Sequence, residues 1–160
     1  MKPFITAFVL CMATTAGAQA QVGMEMSRNG RVAMGAISGG HEANGETLYL
    51  CTAPYAGGYH PGKLRPGFGG CNIGYGGSEY TVSEYDVLTG YGQWAGATGG
   101  NVPGNAIQAG AEANGTPLFA CRAWHAGGLH PGKVRPGFNG CNIGYGGSEI
   151  SIHSYDVLVQ

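Results

Sequence analysis

The stretch GCNIGYGGSE occurs twice, at Gly70–Glu79 and again 70 positions later at Gly140–Glu149. Working outward from it, the same shift aligns residues 41–88 with residues 111–158 without a gap, and 32 of the 48 aligned positions are identical. The chain therefore contains one unit written twice. Copies of this length are marginal as independent domains, which predicts one compact two-repeat unit with a shared core.

We place repeat 1 at residues 23–90 and repeat 2 at residues 93–160. Glycine makes up 32 of the 160 residues, about three times its average share. The glycines separate short apolar runs, and each glycine inside a helix costs about 1 kcal/mol relative to alanine. We therefore predict an all-β fold of short strands joined by tight turns, built from two pseudo-symmetric repeats.

Turn-forming dipeptides mark the boundaries of the predicted strands. Asn-Gly at 44–45 and at 114–115 predicts two hairpin turns between extended runs. Pro-Gly at 61–62 is predicted to be a turn as well, with His60 directly before it and His130 at the equivalent place in repeat 2. A plain hydrogen-bonding role is expected for both histidines.

Residues 1–20 have the layout of a secretory signal peptide. Lys2 precedes an apolar run over residues 4–13, and small residues end in Ala18-Gln19-Ala20. We predict cleavage after Ala20 and a secreted or periplasmic protein. No other apolar segment approaches the length that spans a bilayer.

Export changes the meaning of the cysteines. Removal of Cys11 with the signal peptide leaves four, and an even count in an oxidising compartment favours disulfides. A zinc site that uses a histidine between the cysteines is the rival interpretation, but the spacings are not of the C-x-x-C type. We predict no metal and no organic cofactor. The repeat favours pairing within each unit, as Cys51–Cys71 and Cys121–Cys141.

Charge and motifs exclude several classes of function. The formal net charge is −1, with eight Lys+Arg against nine Asp+Glu, which lacks the basic excess of a nucleic-acid-binding protein. GGYHPGK at residues 57–63 resembles a phosphate-binding loop, but Leu64 follows where Ser or Thr would hold magnesium. The chain has neither a G-x-S-x-G elbow nor an H-E-x-x-H motif. We therefore predict a protein that is not an enzyme.

Binding chemistry remains open. A carboxylate and a lysine beside a turn can bracket two vicinal hydroxyls, because the carboxylate accepts hydrogen bonds and the ammonium donates them. The aromatic side chains of Tyr55, Tyr59 and Trp124 are suited to cover the apolar face of a sugar ring. The structural alternative, in which the lysines at 63 and 133 and the glutamates at 42 and 112 are ordinary surface residues, is favoured by composition alone.

The order of motifs in repeat 2 resembles the DM-nine repeat family. It runs from Trp94 through VPGNAI at residues 102–107, PGK at 131–133 and GGSE at 146–149 to YDVL at 155–158. Repeat 1 is a weaker copy in its first half, with Met24 in place of the tryptophan, and is intact in its second half. The resemblance covers essentially the whole chain after the signal peptide.

This resemblance implies a β-sandwich-like fold with exchanged strands and lectin activity, since members from bivalve molluscs bind mannose. It implies two equivalent sugar sites, one made by Glu42 with Lys63 and the other by Glu112 with Lys133. Those lectins have Asp where this chain has Glu, and the extra methylene moves each carboxylate outward by about one bond length. The implied partners are mannose-type glycans or cell-surface polysaccharide, with a homodimer as one option.

Glu79 and Glu149, in the GGSE stretches, are second-rank candidates for sugar contact. Their alternative role is structural, as buried carboxylates that accept hydrogen bonds from the backbone of a turn. The alternative for the whole protein is a disulfide-stapled scaffold for protein interactions without a sugar site. A lectin requires each Glu–Lys pair to converge, whereas a scaffold does not.

Overall fold

The computed structural model describes residues 21–160, and the predicted signal peptide lies outside the described residues. Each repeat contributes seven β-strands. Repeat 1 forms β1 (Val22–Arg28), β2 (Ser38–His41), β3 (Thr47–Tyr55), β4 (Gly58–Leu64), β5 (Cys71–Tyr75), β6 (Ser78–Val82) and β7 (Glu84–Gly90). Repeat 2 forms β8 (Gln93–Thr98), β9 (Gln108–Ala111), β10 (Pro117–His125), β11 (Gly128–Val134), β12 (Cys141–Tyr145), β13 (Ser148–Ile152) and β14 (Ser154–Val159).

All fourteen strands belong to one antiparallel sheet. Their order is β1-β7-β3-β2-β11-β12-β13-β6-β5-β4-β9-β10-β14-β8. Two additional pairings, β3 with β4 and β10 with β11, close the sheet on itself as a barrel and leave β1 and β8 as the edges. The predicted all-β fold is confirmed, with its layers joined into one continuous sheet.

The two repeats exchange strands, as predicted. β2 of repeat 1 pairs with β11 of repeat 2 through His41 and Leu129, and β9 of repeat 2 pairs with β4 of repeat 1 through Ala111 and Tyr59. A third pairing joins β6 to β13 at Ser78 and Ser148. Each repeat therefore completes the sheet of the other.

Buried apolar side chains form one cluster in each repeat and a third that both repeats share. The shared cluster takes buried side chains from both copies, including the matching pair Leu88 and Leu158, which explains how short repeats bury enough apolar surface. Its buried members are Ile37, Leu50, Leu88, Ala109, Ala120 and Leu158.

Both predicted disulfides are present. Cys51 is bonded to Cys71, and Cys121 is bonded to Cys141. All four residues are fully buried in the clusters of their own repeats. Each bridge therefore joins two strands that are not neighbours in the sheet, β3 with β5 and β10 with β12, through the apolar core.

The Asn-Gly hairpins form as predicted, but the prediction of a turn at the Pro-Gly pair of residues 61–62 was wrong. Pro61 and Gly62 lie inside β4, opposite Thr52 and Cys51 of β3. On its other side, β4 lies close to the backbone of β5. A Cβ atom on Gly62 would lie 2.1 Å from the carbonyl oxygen of Asn72. Glycine is thus required by a close approach of two strands rather than by a turn.

No helix within residues 21–160 is long and apolar enough to cross a membrane.

Candidate functional site

Two polar sites lie at equivalent places of the pseudo-symmetric fold. We define site A by Glu42, Lys63 and Glu79 of repeat 1 with His130 and Tyr145 of repeat 2. Each site takes its lysine and glutamates from one repeat and its imidazole and phenol ring from the other. The strand exchange between β2 and β11 brings these residues together.

The same arrangement holds in the other direction. We define site B by Glu112, Lys133 and Glu149 of repeat 2 with His60 and Tyr75 of repeat 1. The exchange between β4 and β9 brings these residues together.

In site A the ammonium of Lys63 is surrounded by polar groups. Its Nζ lies 3.4 Å from Nδ1 of His130 and 3.7 Å from Oε2 of Glu79. Oε2 of Glu42 lies 4.0 Å from the same His130 nitrogen. The predicted pair Glu42 and Lys63 is therefore brought to one histidine, although the two do not form a direct ion pair. The Tyr145 ring covers the ammonium, with its centroid 5.3 Å from Nζ.

Site B repeats these distances closely. Nζ of Lys133 lies 3.0 Å from Nδ1 of His60 and 3.7 Å from Oε2 of Glu149. The centroid of the Tyr75 ring lies 5.3 Å from the same Nζ. Both lysines are only 3% exposed. Their ion-pair partners are the second-rank candidates Glu79 and Glu149, and not Glu42 and Glu112.

Two arginines that were not predicted from the sequence hold Glu42 and Glu112. Nε of Arg65 donates to Oε1 of Glu42 over 3.3 Å, and Nε of Arg135 donates to Oε1 of Glu112 over 2.9 Å. The only sequence signal was the RPGF run that the repeats share. These contacts leave the second oxygen of Glu42 directed toward His130.

Glu79 and Glu149 cross between the repeats. Oε1 of Glu79 accepts a hydrogen bond from the backbone N–H of Gly147 over 3.3 Å, and Glu149 accepts one from Gly77 over the same distance. A side chain on Gly74 or Gly144 would lie within 2.7 Å of the opposing carboxylate, so these glycines make room for it. The predicted structural role is thus present, yet each carboxylate keeps its Oε2 against a lysine.

Both histidines are held as neutral imidazoles. A lysine ammonium can only donate hydrogen bonds, so Nδ1 of each ring accepts and Nε2 carries the proton. At His60 this Nε2–H donates to the carbonyl oxygen of Tyr55 over 3.2 Å. Burial, followed by the charge of Lys133, lowers the pKa of His60. Burial and the charge of Lys63 lower the pKa of His130 to about 4.

Burial also lowers the pKa of each lysine, while the neighbouring carboxylates oppose that shift. For Lys63 the opposing groups are Glu79 and then Glu42. For Lys133 they are Glu149 and then Glu112. Each site therefore depends on its carboxylates to keep a desolvated ammonium charged.

Acidification from pH 7 to pH 4 is expected to lower the free energy of unfolding. His130 takes up a proton near pH 6.5 when unfolded but only near pH 4 when folded, so the unfolded state binds more protons in this interval. The loss is about 3 kcal/mol at most for this residue, and His60 shifts in the same direction. Urea unfolding at several pH values measures it.

The variant His130→Asn serves as the control for that pH dependence. Its amide still offers Lys63 an acceptor but cannot titrate, so the slope between pH 6.5 and pH 5 should be shallower than in the wild type. A wild-type unfolding free energy that stays level or rises on acidification would contradict the assignment of a neutral buried imidazole.

The walls of the two sites differ. In site B the ring of Tyr55 is stacked on that of Tyr80, with the ring centroids 4.5 Å apart. It is in a T-shaped arrangement with the ring of Tyr75, with the centroids 5.3 Å apart. In site A the equivalent of Tyr55 is His125, whose ring lies 4.8 Å from that of Tyr145. Sites A and B thus share their charged groups but present different surfaces beside them.

The profile of the DM9 repeat matches this sequence twice, over residues 7–82 and residues 69–152. The chain belongs to the DM9 repeat family. The resemblance that the motif order indicated is therefore confirmed. No curated protein matches this DM9 repeat protein.

A solved structure shares the fold of the DM9 repeat protein. It is the crystal structure of the nematode sperm cell motility protein MFP2B, with a TM-score of 0.62 and 16% sequence identity. The match covers 99% of this chain and 48% of that chain, so the DM9 repeat protein spans about half the length of this neighbour. At this identity the likeness concerns the fold alone.

Proposed function

We propose that this protein is an exported, non-catalytic carbohydrate-binding protein whose two equivalent sites are sites A and B. The observation that carries the proposal is the twofold occurrence of one constellation, in which a lysine ammonium, two carboxylates and a neutral imidazole meet. At each place the lysine and carboxylates of one repeat meet the imidazole of the other repeat across the exchanged strands.

The chemistry of the constellation suits a pair of vicinal hydroxyls. Each hydroxyl donates one hydrogen bond and accepts others, so it can bridge a carboxylate and an ammonium. In site A the distance between Nζ of Lys63 and Oε2 of Glu79 is 3.7 Å, longer than a hydrogen bond. Within the part of the chain that the structure describes, that Oε2 has no hydrogen-bond partner.

Burial limits what can enter. Lys63 is 3% exposed, whereas the side chain of Glu42 is 19% exposed and forms the more open side of site A. The proposal is therefore that the edge of a terminal sugar residue approaches the ammonium from that side. Mannose-type glycans are the ligands that the family resemblance supplies. Two sites on one chain raise the avidity for a surface that presents many such ends, by about a hundredfold or more.

Export is part of the proposal. Disulfides persist in oxidising compartments, and this chain places two of them in its core. They support a secreted or periplasmic location after cleavage of the signal peptide.

One observation favours a second candidate, a disulfide-stapled interaction scaffold. Both lysines are buried against glutamates that also accept backbone hydrogen bonds across the repeats. Such a network can serve to hold the repeats in register, without a ligand. The two candidates differ in whether removal of the ammonium groups changes binding or only stability.

A glycan array probed with the oxidised protein (residues 21–160) tests the proposal. We expect binding to a defined class, with mannose-type glycans first, and at least a tenfold loss in the variant Lys63→Met/Lys133→Met. Methionine keeps the apolar stem and removes only the charged group. Each variant is first shown to be folded and monodisperse.

Arg31→Met is the matched control, because it removes an exposed cation away from both sites. It should bind like the wild type. Unchanged binding by the folded double lysine variant would overturn the assignment of sites A and B. An array without any signal from the wild type would overturn the carbohydrate proposal and favour the scaffold.

A further inference from the structure

A groove on the outer face of repeat 2 has features that sites A and B do not use. It lies over β8, β10 and β14 and has a volume of about 510 Å³. This is within the range of about 300–1,000 Å³ typical of small-molecule sites. We call it the Trp124 groove. The lining residues that matter here are Gly96, Thr98, Arg122, Trp124, Ser154 and Asp156.

Trp124 forms one wall and is 64% exposed. On the neighbouring strand β11 it lies opposite Leu129, and Leu129 lies opposite His41 of repeat 1. The rings of Trp124 and His41 are in a T-shaped arrangement with their centroids 5.4 Å apart. His130, the next residue along β11, points to the other face of the sheet, so the Trp124 groove is distinct from site A. An indole this exposed adds little to the core and leaves an aromatic surface free for a ligand.

An ion pair forms the polar side of the groove. Nε of Arg122 donates to Oδ2 of Asp156 over 3.0 Å, and the guanidinium lies 4.1 Å from the centroid of the Trp94 ring. These contacts hold the guanidinium in place while the side chain of Asp156 stays 39% exposed. The groove thus offers oriented donors and a carboxylate acceptor beside an apolar surface.

Gly96 leaves space in the Trp124 groove beside Asp156. Gly96 lies opposite Asp156 in the sheet, and the nearest atom to a side chain placed there would be Oδ1 of Asp156, at 3.9 Å. The space above Gly96 is therefore available to a ligand atom that reaches the carboxylate.

We propose that the Trp124 groove is a third saccharide-binding site, separate from sites A and B, that holds one pyranose ring. A pyranose has an apolar C–H face and a rim of hydroxyls. The exposed indole would cover the C–H face, while Arg122 donates to hydroxyl oxygens and Asp156 accepts from hydroxyl protons. The inference rests on the proposed function for the class of ligand.

Repeat 1 has a groove of about 710 Å³ at the equivalent place, but with a different arrangement, in which Tyr59 is the exposed aromatic side chain and Arg28, Arg31 and Asp86 are among the charged residues. The position of Trp124 is taken by Pro54, that of Arg122 by Thr52 and that of Gly96 by Met26. Proline and threonine offer neither an aromatic platform nor a guanidinium, and Met26 occupies the place that glycine leaves open. The combination of Trp124 with Arg122 therefore has no copy at the matching positions of repeat 1, and Pro54 provides a matched control position.

The test uses mannotriose as the probe on the Lys63→Met/Lys133→Met variant, in which sites A and B lack their ammonium groups. We expect mannotriose to move the Trp124 indole N–H resonance. Adding Trp124→Ala should weaken the remaining affinity, measured by calorimetry, about tenfold. Trp124→Phe should retain most of it, and Pro54→Ala should leave it unchanged.

The outcomes separate this inference from the proposed function. The third site is overturned if the indole resonance does not move at saturating mannotriose. It is also overturned if Trp124→Ala changes the affinity by less than twofold. Neither outcome counts against sites A and B. Binding whose stoichiometry the lysine substitutions lower, and whose remainder is lost with Trp124→Ala, supports all three sites. Binding whose stoichiometry the lysine substitutions leave unchanged, and which is lost with Trp124→Ala, supports the third site and counts against sites A and B. If the lysine variant does not fold, the wild type replaces it, and Trp124→Ala should lower the stoichiometry by one.

Discussion

Replacing Gly110 by alanine lowers the free energy of unfolding by about 3 kcal/mol. A Cβ at this position would lie 2.2 Å from the backbone carbonyl oxygen of Tyr59, where β9 of repeat 2 crosses onto β4 of repeat 1. Backbone cannot rotate aside as a flexible side chain can, so the strands must separate. Gly40→Ala meets the carbonyl of Leu129 at 2.0 Å on the opposite crossing and should act alike.

Gly104→Ala is the control, since no atom lies within 4 Å of a Cβ there and its backbone is outside the left-handed region. Its stability should stay level or rise by about 0.4–1 kcal/mol, because alanine restricts the unfolded chain. Urea unfolding of all three variants at pH 7 decides the matter. Equal stabilities of Gly110→Ala and Gly104→Ala would mean that the exchanged strands do not approach this closely.

Removing one disulfide by Cys51→Ala/Cys71→Ala should cost about 3 kcal/mol. The bridge closes a loop between residues 20 positions apart and so restricts the unfolded chain. Both sulfurs are also buried in the apolar cluster of repeat 1, where alanine leaves unfilled space. Thermal and urea unfolding under non-reducing conditions measure the loss.

Cys121→Ala/Cys141→Ala is the matched variant in repeat 2, because that bridge closes a loop of the same length. The two variants should lose similar stability, and both should still bind glycans at low temperature, since the cysteines contribute no polar group to site A or site B. A loss below about 1 kcal/mol in both would show that the core does not depend on the bridges.

Local sequence was enough to predict much of the fold. The 70-residue shift revealed the two repeats, and the Asn-Gly pairs located the β2–β3 and β9–β10 hairpins because their conformation is set by adjacent residues. The repeat also selected the cysteine pairing, since each pair lies within one unit. These features depend on short distances along the chain.

The partners in each site could not be predicted in the same way. Lys63 and His130 are 67 positions apart, and they meet only because β2 and β11 pair between the repeats. The Pro-Gly pair at 61–62 also misled, because a glycine that admits a neighbouring strand is indistinguishable in sequence from one that makes a turn. Family resemblance grouped Glu42 with Lys63, and the structure places both beside His130 without a direct ion pair, whereas the histidine itself was found only from the fold.

We propose that each sugar site combines the lysine of one repeat with the histidine of the other. The most direct test follows the ring resonances of His60 and His130 by NMR while mannotriose is added to the wild type and to Lys63→Met. Both rings should respond in the wild type, and in the variant His60 should still respond while His130 does not. The opposite pattern in the variant, or a wild type in which mannotriose moves neither ring, would contradict the claim.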